Sequence, residues 1–230
     1  MKSFPLLIFT GIAPLFAIID RVNPKKSFWN YFELILLALS ISLFASYLFD
    51  TKYIVPVLVQ AIVLTCSFVA YSFARQNIGE WLGKYCILIF WLGFEYIFLK
   101  LSWHNPRVFL ADALLLKTEW LRWTYYTGYL GITAWILITN LVLYYAILKS
   151  ETVSTPLLGV YLVLLVGPII YSYTLTSTMI QRDDMIALYD QAVQINTRYT
   201  EQGEYIPRTA VFISGLVLIF AIVRNKTQKK

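Results

Sequence analysis

The chain has 230 residues, of which 59% are hydrophobic and only 14% charged, and its mean hydropathy is +0.64. So little polar surface cannot enclose one water-facing core, and the composition predicts an integral membrane protein. A net charge of +6 raises nucleic acid as a partner, but lysine and arginine fall between apolar segments rather than along a stripe or arm, which excludes it.

Seven apolar segments, each bounded by charge or by Gly and Pro, predict an all-α polytopic bundle in a single membrane domain, 1–230. The first, 4–19, follows Lys2 as the apolar region of a signal peptide would. Pro5 and Pro14 interrupt it, and no small-residue cleavage site precedes RVNPKK, so it reads as a retained span. Spans at 32–49, 53–73 and 86–101 come next. Cys66 and Cys86 lie inside the last two and read as buried thiols, without metal or redox spacing.

Glu95 falls mid-span in CILIFWLGFEYIFLK. A carboxylate there is either a functional site or a packing hydrogen bond to a tyrosine or backbone group, and both readings stay open. It is expected to face the bundle interior near Tyr125, Tyr126 or Asn140. His104, the only histidine, reads as an interfacial residue at a span end. No cluster of His, Cys, Asp or Glu, no phosphate loop and no GxSxG elbow is visible, so neither a metal nor a cofactor is expected.

The stretch EWLRWTYYTGYLGITAWILITN, Glu119 to Asn140, places Trp120, Trp123, Tyr125 and Tyr126 ahead of a span at 128–148. With Trp103 these rings suit an interfacial aromatic belt. Gly128 and Gly131 suit close helix approach. Spans at 156–175 and 210–223 complete the count. Between them, 176–200 spaces Met179, Ile186, Leu188, Ala192, Val193 and Ile195 at near-helical intervals, predicting an amphipathic helix on the membrane surface. Arg21, Lys25, Lys26, Arg75, Lys84, Lys149 and the tail RNKTQKK share one side of a seven-span layout, so that side and the C-terminus are expected to be cytoplasmic. Neither an internal repeat nor an inverted pair of broken helices is visible.

The order of these residues resembles the membrane domain of bacterial apolipoprotein N-acyltransferase, particularly the forms of Bacteroidota. Trp91, Phe94, Glu95 and Trp103 fit one motif of that family. Trp120 or Trp123, Tyr125, Tyr126, Thr127, Gly128, Gly131, Trp135 and Asn140 fit a second. GIAPLFAIID resembles the family's second span, which would leave the first absent, and Thr197 to Gly215 resembles the tract leading into its last span. The resemblance implies the bacterial inner membrane, phospholipid and a lipoprotein anchor as ligands, and a substrate mouth at Glu95, Trp103, Trp120, Trp123, Tyr125, Tyr126, Thr127, Gly128, Gly131 and Asn140.

The departure lies between the last two spans. There the family carries a nitrilase-like domain with a Glu, Lys and Cys triad, whereas this chain has roughly 35 residues and no cysteine. Acyl transfer needs a thiolate, a base and oxyanion donors held together, so the triad carries over to no position. The resemblance therefore implies a non-catalytic relative that binds phospholipid or a lipoprotein anchor, or serves as a subunit of an envelope complex. One alternative is a membrane platform for a nitrilase-like subunit encoded as a separate chain. Another, resting on Glu95, is a small transporter or channel.

Overall fold

The computed structural model describes residues 5–21, 28–46, 51, 54–79, 83–100, 109–114, 117–149, 152–175 and 205–228. The helices in chain order are α1 (Ile8–Gly11), α2 (Ala13–Arg21), α3 (Phe28–Ser46), α4 (Ile54–Ile78), α5 (Cys86–Lys100), α6 (Thr124–Thr127), α7 (Leu130–Leu143), α8 (Thr155–Thr174) and α9 (Tyr205–Gln228). A π-helical turn, Tyr144–Leu148, prolongs α7. No strand occurs among the described residues.

Helix is found at each of the seven expected spans, and these helices differ in length among the described residues. Four helices are long and apolar enough to cross a membrane: Ile54–Ile78, Leu130–Leu148, Thr155–Thr174 and Tyr205–Thr227. The apolar stretches Ile8–Asp20, Trp29–Phe44 and Cys86–Phe98 are shorter. At about 1.5 Å per residue they fall short of the roughly 30 Å of a hydrocarbon core. The last span runs well past the expected 210–223 at both ends. The expected amphipathic helix at 176–200, together with Trp103 and His104, lies outside the described residues.

Two of the long helices turn most of their apolar surface outward. The apolar windows of Thr155–Thr174 and Tyr205–Thr227 are only 11% and 17% buried. Leu162, Val163, Ile170, Phe212, Ile219 and Phe220 are all exposed. In water so large an outward apolar face is an association liability, whereas hydrocarbon solvates it without cost.

Packing divides the chain into two compact units, Met1–Arg21 with Phe109–Ile206, and Val22–Val108 with Pro207–Lys230. In the first, α7 is central, with Ile132, Ile136 and Leu137 fully buried. The α1–α2 segment runs parallel to it, Phe9 meeting Trp135 and Phe16 meeting Tyr144. Helix α8 runs antiparallel, from Ser154 N–H donating to the Ala146 carbonyl at one end to Ser172 Oγ donating to the Trp120 carbonyl at the other. In the second unit Tyr31 of α3 donates to the Phe68 carbonyl of α4, and Phe68 stacks edge-on to Trp91 of α5 at 5.3 Å. Helix α9 approaches α5 at Gly93, where a Cβ would lie 3.4 Å from Val211 Cα.

Candidate functional site

The aromatic stretch folds into a tight entrance to α7. Thr124 Oγ1 donates to the Leu121 carbonyl at 2.6 Å, starting the single turn of α6. That turn ends where Gly128 N–H donates to the Thr124 carbonyl at 2.7 Å. Gly128 has φ 74 and ψ 177, a combination open essentially to glycine alone, and this re-aims the chain into α7. One turn on, a Cβ at Gly131 would lie 2.7 Å from Thr127 Cβ, so only glycine lets Thr127 rest against the helix start. Gly128 thus sets the turn through its backbone conformation, and Gly131 makes room for the turn's own Thr127.

Two polar atoms at this entrance are left over. Trp123 Nε1 and Thr127 Oγ1 are buried and have no hydrogen-bond partner among the described residues. Both side chains adjoin the same point, since the Cβ position at Gly131 that Thr127 blocks is also 3.6 Å from Trp123 Cζ3. An enclosed donor without an acceptor costs about 1–3 kcal/mol, so the pair favours an incoming acceptor. Around it, Arg122 Nη1 donates to the Leu175 carbonyl at 3.0 Å, closing the C-terminal end of α8. The Lys117 ammonium stands 5.8 Å over the Trp120 ring, and Tyr126 is exposed. The side chain of Tyr125 lies outside the described residues.

Below the entrance, α7 supplies polar groups to neighbouring helices that contain proline. Pro168 has no N–H, which leaves the Leu164 carbonyl one turn earlier without its helical partner. Trp135 Nε1 donates to that carbonyl at 2.6 Å. The Trp135 ring is held edge-on by Trp123 at 5.7 Å and tilted against Phe9 at 4.5 Å.

Asn140 does the same for the break between α1 and α2, where Pro14 lies just inside α2. Its Oδ1 accepts from Ile12 N–H at 2.9 Å and Ala13 N–H at 3.0 Å. Its Nδ2 donates to the carbonyls of Ile8 at 2.9 Å and Ile136 at 2.8 Å. A carboxamide has four such positions, and all four are used. Asn140 is thus a clamp on the broken first segment, with no position left for Glu95.

Further along the same face of α7, Tyr144 OH donates to Asp20 Oδ2. Its carbonyl accepts from Lys149 N–H at 3.0 Å in a five-residue π-type closure. Pro168, Asp20 and Tyr144 were not among the expected functional residues, although prolines inside apolar runs are a visible signal for side-chain plugs.

Glu95 belongs to the second unit. It is 2% exposed, and its Oε1 accepts from Trp91 Nε1 one turn earlier at 3.0 Å. This bond joins two side chains of α5 itself. Cys66 is exposed on α4 and Cys86 is buried at the start of α5, both as free thiols. No family model, curated protein or solved structure matches this chain.

Proposed function

We propose that this chain is a membrane-embedded lipid binder akin to the membrane domain of bacterial apolipoprotein N-acyltransferase. It holds the ester region of a phospholipid or of a lipoprotein anchor at the entrance to α7 and transfers no acyl chain on its own. The observation that carries this reading is the unpartnered pair Trp123 Nε1 and Thr127 Oγ1, set within the residues that resemble the family's second motif. The outward apolar faces of α8 and α9 support a lipid solvent. The basic residues near helix ends support a bacterial inner-membrane placement with the C-terminus cytoplasmic and the α7 entrance on the opposite side.

Native mass spectrometry of the detergent-purified chain, supplied with diacylated lipopeptide and phospholipid, tests this. Lipid should be retained, and Thr127→Val should lower retention roughly five- to tenfold, the worth of one hydrogen bond. Acyl transfer to the lipopeptide by the isolated chain would overturn the proposal. A nitrilase-like protein co-purifying in equal amount would favour the platform reading, which the short interval before α9 also supports.

A further inference from the structure

We propose that the second unit carries a separate site for an anionic phospholipid, with one acyl chain in a cleft walled by α3, α4 and α9 and the phosphate among cations at the end of α4. The cleft has a volume of about 600 Å³ and is lined by Tyr31, Cys66, Ala70, Phe73, Leu218 and Ile222, among others. That lies inside the roughly 300–1,000 Å³ usual for small-molecule sites. Its walls are almost entirely apolar. The Tyr31 hydroxyl is already engaged by Ser72 and the Phe68 carbonyl, so the lining suits a hydrocarbon chain better than a polar ligand.

Charge decides the rest of the occupant. The cleft reaches Gln76 on α4 and Ile222 on α9, each one or two residues from an arginine. Arg224 Nη1 donates to the Ile78 carbonyl at the last residue of α4 at 3.2 Å, which fixes the guanidinium there and leaves its other donors for an anion. Arg75 packs under Gly83 of the following turn, where a Cβ would lie 2.7 Å from Arg75 Cα. Lys84 stands 4.9 Å over the Tyr85 ring in the same turn, and Lys226 is exposed on the last turn of α9. Among the described residues Glu33 on α3 is the one acidic side chain near the start of that helix, so the described cations at this end outnumber it. An apolar cleft opening onto a cationic end matches the two parts of an anionic phospholipid, and a zwitterionic headgroup matches it less well. This site rests on the second unit alone and does not depend on the resemblance at the α7 entrance.

Photocrosslinking tests it, with the full chain reconstituted in vesicles doped with either phosphatidylglycerol or phosphatidylcholine bearing a photoactivatable acyl chain. Phosphatidylglycerol should label peptides covering Cys66–Gln76 and Leu218–Ile222 in preference to α8. Arg224→Gln should lower that labelling about fivefold, the effect of one cation near an anionic lipid. Ala70→Phe, which fills the cleft, should remove it, while Thr127→Val in the other unit should leave it unchanged. Equal labelling by both lipids, labelling spread evenly over α8, or a crosslinked dimer in place of lipid adducts would each overturn the proposal. The wild-type pattern alone decides these outcomes should Ala70→Phe fail to fold.

Discussion

Trp135 and Asn140 owe their positions to prolines on other helices. In hydrocarbon a backbone carbonyl freed by proline has no water to turn to, so a neighbouring side chain must take it. Trp135→Phe keeps the ring packing but leaves the Leu164 carbonyl unmet, and should cost about 1–3 kcal/mol in detergent unfolding. Combined with Pro168→Ala, which returns an N–H to that carbonyl, the same substitution should cost much less. Equal costs in the two backgrounds would show that the indole N–H does not serve Pro168. Asn140→Leu strands the N–H groups of Ile12 and Ala13 and the Ile8 carbonyl at once. It should be the more damaging change, lowering the thermal midpoint further than Trp135→Phe. At Glu95 an amide oxygen can still accept from Trp91, so Glu95→Gln should change stability by less than about 1 kcal/mol. Glu95→Leu should cost more, and a larger loss for the glutamine variant would require the charge itself.

At the scale of elements, the α6 turn and the start of α7 form one device in which each glycine has its own task. Gly128→Ala forces an L-residue into a backbone region costing about 1–3 kcal/mol. Gly131→Ala instead drives a methyl into Thr127, and the hydroxyl must leave its position. Both variants should lose stability. Combining Gly131→Ala with Thr127→Ala should recover part of the loss, and combining Gly128→Ala with Thr127→Ala should recover none, as unfolding midpoints of the two pairs would show. The proline break in α1–α2 and the π turn after α7 flank the same interface, where Asn140 and Tyr144 reach Ile12 and Asp20. The α1–α2 break persists because Asn140 satisfies the backbone groups it releases.

For the whole molecule, the four long helices and the outward apolar faces of α8 and α9 make the solvent the decisive variable. The two cysteines report on it. Cys66 is exposed on α4 and Cys86 is buried. In reconstituted vesicles a lipid-soluble maleimide should modify Cys66 and spare Cys86, while a charged, membrane-impermeant maleimide should modify neither. Rapid reaction of Cys66 with the charged reagent would place that face of α4 in water.

Composition and hydropathy determined the helical class and the approximate location of the seven long apolar helical segments, because apolar content and segment length act locally along the chain. The local order of the 119–140 stretch likewise marked the entrance, since its tight turn is built from near neighbours. The break at Ile12 was not legible, for an apolar run at 4–19 reads the same whether or not its helix is interrupted. Nor were the long-range hydrogen bonds of Trp135 to Leu164, Asn140 to Ile12 and Tyr144 to Asp20, each of which spans at least 29 residues. Hydrogen bonds across such separations depend on which helices pack together. Tertiary structure alone decided that Asn140 clamps a broken helix and that a cleft in the second unit opens beside Arg224.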